Sequence, residues 1–451
     1  MAPIKKAARA IARGQPLIRV SEAFQEFAER GVLGGILLLA CTAIALAWAN
    51  SPYRDSYFHL WETQLSFGLA AAPVTASLHH WINDGLMAIF FLLVGLEIKR
   101  ELLVGELASR EHAALPIAAA IGGMVVPAIL YAVVNIGAPG ARGWGIPMAT
   151  DIAFALGVLT MLGPRVPIGL KIFLTALAIV DDIGAVIVIA IFYTSAIHWG
   201  TIYAAGIALV GLIVLARTGV KSLGPYLLVG AILWAAILSS GVHATIAGVL
   251  LALTIPSRTT LNAQQFASRA RKLLDDFDNA ETGDLRVITS RGQQEALYSL
   301  DVSSSEALAP LLRLEHALHG MVSFAIMPLF ALANAGVSLQ GGAELMASPV
   351  TLGVLLGLAA GKPAGILLFS WLAVRLQLAR LPDSVTWRLL HGAAWLGGIG
   401  FTMSLFVANL AFGTGELLDS AKVGVLAASL VAGATGWCIV RSQTRDRSNE
   451  A

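Results

Sequence analysis

The chain has 451 residues, of which 57% are hydrophobic and only 13% charged, with a formal net charge of +2 at pH 7. A soluble domain carries about 25% charged residues. This balance excludes a soluble globular protein and a nucleic-acid binder, and it describes an all-α chain that crosses a lipid bilayer many times.

Residues 1–30 carry six Lys or Arg and lack an apolar run followed by a small-residue cleavage site. They read as a cytoplasmic N-terminal segment leading into an uncleaved first span. Apolar runs of spanning length then recur at 31–49, 82–98, 113–135, 143–162, 169–193, 200–216, 223–238 and 241–256, the first eight spans. Four more follow, at 317–335, 350–372, 389–411 and 420–440, within 313–440, and 441–451 is a tail. Twelve spans put both termini on one side. With that side inside, 26 of the 30 Lys and Arg fall in inner segments. Arg54, Arg142 and Lys422 fall outside, and Lys362 falls within a span. The asymmetry is the one expected for cytoplasmic loops. Cys41 and Cys438 both lie in apolar runs and read as buried, inert thiols.

Two segments lie outside the spans. In the outer loop 51–80, Leu65–Leu69 and Val74–Leu78 flank Ala-Ala-Ala-Pro as a short β-hairpin. An isolated hairpin is marginal, so this one needs a partner such as a second subunit; a plain surface loop fits the pattern equally. In the inner loop 257–312, Ala263–Phe277 reads as an amphipathic helix and Asp278–Ser305 as flexible. A linker or a regulatory insert would look this way.

The fifth span carries adjacent acids, Asp181 and Asp182, midway along an apolar run whose other charge is Lys171, near its start. Ionisable groups at that depth cost several kcal/mol and mark function by default. Two together cannot both stay charged without a cation or protons. Lys362 lies midway along the tenth span, and Asp181 or Asp182 at matching depth is its natural partner. Two spans are interrupted near their centres, one at Gly145-Ile146-Pro147-Met148-Ala149 just before Thr150 and Asp151, the other at Gly397-Gly398-Ile399-Gly400. Irregular backbone at mid-depth is tolerated only inside protein or along a wet cavity. The interruptions hold matching positions in two three-span groups, spans 3–5 and 10–12, which insert with opposite orientation; this pattern points to a transporter site. Read singly, each feature has a plainer explanation: helix packing for the glycines, a structural hydrogen bond for one acid. Asp84 reads as interfacial, and His243, at the outer end of the eighth span, as a packed polar residue or a sensor.

The motifs resemble the NhaA-type sodium/proton antiporters from about Phe24 to Arg441. The resemblance rests on Thr150-Asp151-Ile152-Ala153-Phe154-Ala155-Leu156-Gly157, Asp181-Asp182, Gly361-Lys362-Pro363 and Gly398-Ile399-Gly400-Phe401-Thr402. It extends to the segments Phe90–Glu101 and Pro328–Gly336. The family is itself a standing example of inverted repeats with broken helices. The resemblance implies that Asp181 and Asp182 exchange ions and protons, that Thr150 and Asp151 lie where the broken helices cross, and that Lys362 pairs with the first Asp. It further implies a cytoplasmic pH-response cluster of Glu97, Arg100, Glu101, Glu315, His316 and His319, and a homodimer through the outer hairpin 65–78; His243, read from its own position, is a further pH-response candidate. The setting it implies is the bacterial inner membrane. The insert 257–312 is longer than in compact members.

The expected function is not enzymatic and needs no cofactor: Na+ or Li+ leaves the cell in exchange for H+, electrogenically and under pH control. Three alternatives remain at this level: a sodium-coupled organic-anion symporter, an intramembrane aspartyl protease, for which Asp151 would supply a second acid, and a channel.

Overall fold

The computed structural model describes residues 16–67, 74–194, 197–259, 261–280, 290–338, 342–382 and 384–450. Residues 1–15, 68–73, 195–196, 260, 281–289, 339–341, 383 and 451 lie outside them, and with them parts of the expected N-terminal segment, hairpin and insert. In chain order come α1 (Pro16–Ala49), α2 (Arg54–Glu62), β1 (Gln64–Phe67), β2 (Val74–Ser77), α3 (Leu78–Val104) and α4 (Arg110–Val134). A tight 3-10 segment, Pro139–Met148, leads into α5 (Ile152–Met161) and α6 (Ile168–Phe192). Then follow α7 (Trp199–Arg217), α8 (Leu223–Leu238), α9 (Thr245–Thr254), α10 (Ala263–Asn279) and α11 (Arg291–Ala307). The last are α12 (Pro310–Asn334), α13 (Gly342–Ala347), α14 (Pro349–Arg375), α15 (Trp387–Gly397), α16 (Phe401–Phe412) and α17 (Glu416–Glu450).

Seven of these helices are long and apolar enough to cross a bilayer, and three bent pairs and two shorter apolar helices, α8 and α9, join them. Counting each bent pair as one span gives ten; α8 and α9, which lie over two further expected spans, are shorter. The protein is a polytopic, helical membrane protein with one small sheet.

Two compact units divide the chain. The first comprises residues 1–83, 105–193 and 323–451. It holds two groups of the same design: α4, the broken helix Pro139–Met148/α5 and α6; then α14, the broken helix α15/α16 and α17. The breaks bend by 46° and 42°. Pro139–Met148 packs on α16, and α15 packs on α5, so the first half of each broken helix meets the second half of the other. That is an antiparallel crossing, as an inverted repeat requires. α4 and α14 touch backbone to backbone at Gly122 and Gly365, where a Cβ on either would strike the other's carbonyl oxygen. Two long helices can approach so closely only through glycine.

Two widened π-turns, Val322–Ile326 in α12 and Gly357–Gly361 in α14, precede Pro328 and Pro363. A proline ring crowds the carbonyl four residues back and donates no N–H, so the preceding turn opens. In α14 the opened turn delivers Lys362.

β1 and β2 pair antiparallel, Gln64 opposite Ser77 and Phe67 opposite Val74, as the hairpin reading expected. α2, which the sequence reading left as loop, folds back at 114° to α1 and buries Tyr57. The Tyr57 hydroxyl donates to the Leu332 carbonyl at 2.8 Å and accepts from Gly336 N at 3.1 Å.

The second unit comprises residues 84–104 and 194–322. Here the end of α3 packs on α9, α9 on α8 and α8 on α7. The insert departs from expectation. α10 forms as foreseen, with a capping box between Asn262 and Gln265. The stretch read as flexible contains α11, which lies along α10 and ties to it through Arg269 and Glu306 at 3.2 Å. Gln293, Ala296 and Ser303 form the buried face of α11, and Gln293 Nε2 reaches the Phe277 carbonyl of α10 at 3.5 Å. The cysteines also differ from expectation: Cys41 is half-buried and Cys438 exposed, so neither is a core thiol.

Candidate functional site

The two broken helices cross at Asp151. Its backbone N–H donates to the Ile399 carbonyl at 2.7 Å, a bond between the two breaks. Each break leaves a helix N-terminus with unpaired N–H groups and a C-terminus with unpaired carbonyls, deep in the protein. The residues around the crossing satisfy them in turn. The Asp151 carboxylate serves both N-termini: Oδ1 accepts from Phe154 N of α5 at 3.0 Å, and Oδ2 accepts from Thr402 N of α16 at 3.2 Å and from the Thr402 hydroxyl. Ser429 of α17 accepts from Phe401 N at 3.1 Å. A negative charge is the favoured cap at two converging positive dipole ends.

The C-termini receive donors. The Lys362 ammonium donates to the Met148 carbonyl. The Thr150 hydroxyl lies 2.9 Å from the Gly397 carbonyl and 2.6 Å from Asp181 Oδ2, and Ser404 donates to the Ile146 carbonyl at 2.8 Å.

Asp181 is thus the hinge of the arrangement. Lys362 Nζ lies 2.8 Å from its Oδ2, with both side chains fully buried. Its other oxygen, Oδ1, is buried with no hydrogen-bond partner among the described residues. A carboxylate oxygen left so costs stability, and such an atom points to a ligand or a proton as its complement. Asp182 is 1% exposed and acts through space on the same ammonium. The 25 residues of α6 cover about 37 Å, and the pair sits halfway along it. Thr150, Asp151, Asp181, Asp182 and Lys362 therefore form one buried constellation. The structure pairs Lys362 with Asp181, the partner that the resemblance implied and that depth alone left open between the two acids. It also commits Asp151 to the helix ends, so Asp151 and the Asp pair do not form the facing dyad that a protease needs.

A second group lies in the second unit. Arg100 donates to Glu315 and, at 3.0 Å, to Glu101. Glu97 is within electrostatic reach of Arg100, Glu101 and Glu315, and His316 of Glu315. His319 lies one turn further along α12 than Glu315 and His316. His243 does not join them: its carbonyl accepts from Ile246 N at the start of α9, whereas Lys99, beside Arg100, donates to the Ile255 carbonyl past its far end. Ten residues of helix separate these ends by about 15 Å.

Sequence reasoning missed one network altogether. His79, Asn83, Asn334 and Asn409 hydrogen-bond to each other in the first unit. Asparagines within apolar helices carry no charge and no periodicity, so the only signal was Asn334 inside a motif.

The chain matches the family model described as Na+/H+ antiporter 1 over residues 25–440. It is similar to the Na(+)/H(+) antiporter NhaA of Oleidesulfovibrio alaskensis, with 48% identity over 437 residues, 97% of each chain. The protein of the same name from Koribacter versatilis is 52% identical over 422 residues, 92% of this chain and 90% of the relative. That of Acidithiobacillus ferrooxidans is 50% identical over 416 residues, 92% and 95%.

Proposed function

The chain belongs to the Na+/H+ antiporter family, which makes it a transporter that exchanges sodium for protons, and from that premise we propose that Asp181 and Asp182 are the shared site where the two ions exclude each other. The observation that carries this reading is the bare Oδ1 of Asp181, buried beside Asp182 in the middle of α6. Buried carboxylates this close do not both stay charged without a cation beside them, and otherwise hold protons. Sodium or lithium, small hard cations, suit several converging oxygens. Thr150 and the backbone at the crossing supply neutral oxygens nearby. Lys362 holds Asp181 ionised while sodium is absent and gives way when the cation arrives.

Asp182 gives up one proton and the Lys362 ammonium, once released from Asp181, a second, so two protons exchange for one sodium ion and net charge crosses. Each elementary charge gains ~2.3 kcal/mol per 100 mV. A negative cell interior then drives sodium outward against its gradient. The charge asymmetry of the loops supports a bacterial inner-membrane setting with both termini cytoplasmic. Under that topology Glu97, Arg100, Glu101, Glu315, His316 and His319 lie on the cytoplasmic side, where a coupled set of acids and histidines suits pH control. The strands β1 and β2 pair only with each other among the described residues, and their open edges support a homodimer through residues 65–78.

The test is Asp182→Asn in everted vesicles. We expect sodium-induced proton movement to vanish while the protein remains folded; exchange at the native rate would reject the site.

A further inference from the structure

The His79 network lies away from the carboxylate pair yet is tied to the same broken helix. Asn409 sits on α16 seven residues after Thr402, two turns along the same face and about 10 Å from it. Its Nδ2 donates to Asn334 Oδ1 at 2.9 Å. Asn334 ends α12, and its Nδ2 donates to Asn83 Oδ1 at 3.1 Å and to the Phe330 carbonyl at 3.0 Å. The Asn83 amide nitrogen lies 3.1 Å from both ring nitrogens of His79, and His79 Nε2 lies 3.0 Å from Asn334 Oδ1. One arrangement closes a ring: His79 donates from Nε2 to Asn334 and accepts from Asn83 on Nδ1, the Asn83 approach to Nε2 then being a contact without a hydrogen bond. Asn334, Asn83 and His79 then form a closed ring in which every donor meets an acceptor.

We propose that His79, Asn83, Asn334 and Asn409 form a polar clamp that positions α16, and through it Thr402 at the crossing, and that the clamp closes only while His79 is uncharged. The inference rests on the exchange site proposed above. Two further features support it. Asn83 projects from a widened π-turn, Trp81–Leu86, a distortion that a plain helix would not carry and that often accompanies function. Asn409 Oδ1 is buried with no hydrogen-bond partner among the described residues. An apolar residue would avoid that cost, so the amide is there for its donor.

A protonated His79 offers a hydrogen at both ring nitrogens, and Asn83 then faces it donor to donor. Turning the Asn83 amide does not repair the ring, because its Nδ2 would meet the Asn334 donor. The charged and titratable groups around His79 are His80 beside it, Asp84 further along α3, Lys422 of α17 with Asp419 and Glu416, and Tyr57 of α2 against the end of α12. Lys422 is buried and donates to the Gly336 carbonyl at 3.3 Å; a second cation next to it is disfavoured, so His79 stays uncharged and the clamp closed until that side is strongly acidic. His79 directly follows the hairpin, the face that the loop charges put outside. Acidification on that side therefore loosens α16 from a position distinct from the Arg100 group.

The full-length protein in proteoliposomes tests this, with pH set separately on each face and the sodium KM and melting temperature both measured. His79→Ala and Asn409→Ala should raise the sodium KM roughly tenfold at about pH 8, the scale of one lost buried hydrogen bond. His79→Gln keeps a donor and an acceptor but cannot titrate. It should retain the native KM at about pH 8 and lose the extra KM rise that the native protein shows when the hairpin face falls to about pH 4, where a buried ring beside Lys422 takes up its proton. His79→Gln carries the test if His79→Ala does not fold. A lower melting temperature with unchanged KM in the alanine variants would reduce the network to packing and overturn the clamp. A native acid profile in His79→Gln would overturn its dependence on His79. Asp182→Asn, assayed in parallel, separates the two ideas: clamp variants that shift KM while Asp182→Asn still exchanges would uphold the clamp and sink the carboxylate site.

Discussion

Each side chain at the crossing answers to a backbone group that the broken helices leave exposed. Asp151 caps two N-termini, and caps contribute about 0.5–2 kcal/mol each. Lys362 pairs with Asp181 and also covers the Met148 carbonyl. Removing one member of a buried pair costs about 3–5 kcal/mol. Lys362→Ala is therefore expected to lower the melting temperature and to move the onset of exchange to more alkaline pH, because no neighbouring cation then favours the carboxylate over the acid. An unchanged pH profile in a fluorescence assay of proton movement would remove the pair from the mechanism. Tyr57 gives a prediction of a different kind. Burial pushes its phenol up to about 12 from 10.0. The folded state thus holds this proton longer than the unfolded one, so its contribution is complete below about 10 and fades as pH climbs through about 12. Tyr57→Phe should flatten the loss of stability in that window, as read by thermal melts across alkaline buffers; a slope equal to the native one would discharge Tyr57 from this role. At this scale the sequence was informative about charge and silent about amides. Asp181, Asp182 and Lys362 stand out because a charge in an apolar run is costly, while Asn83 and Asn409 are cheap enough to pass unnoticed until their partners are in place.

Helices become visible in sequence through length and hydropathy, and breaks through glycine and proline. Both interrupted spans were legible for that reason, as were β1, β2 and α10. α11 was not, because Val302-Ser303-Ser304-Ser305 has the composition of a linker; its helix depends on packing against α10, which local propensity does not encode. The closest approach of α4 and α14 was equally hidden, since Gly122 and Gly365 look like any other glycines of the 45 in the chain. It can be tested directly. Gly365→Val forces apart the helices that carry Lys362 and flank the crossing, and overpacking of this kind typically costs about 1–3 kcal/mol. The variant should melt lower and exchange more slowly, whereas Gly206→Ala, whose added carbon meets nothing within 4 Å, should behave as the native protein. Equal melting of the two variants would show that the contact is not tight.

For the molecule as a whole, the expectation of twelve spans rests on loop charges as much as on hydropathy, and the structure has seven helices, or ten with each bent pair taken as one, long and apolar enough to cross a bilayer. What sequence could not supply is the antiparallel crossing, because it joins residues some 250 positions apart, such as Asp151 and Thr402. The functional claim for the molecule is that sodium and protons occupy one place by turns. Calorimetric titration of the purified protein with sodium, repeated in buffers of differing ionisation enthalpy, measures this directly. At alkaline pH the observed heat should vary with the buffer, showing one to two protons released per ion, and at acidic pH the sodium signal should disappear. Sodium binding with the same heat in every buffer, at acidic and alkaline pH alike, would contradict it.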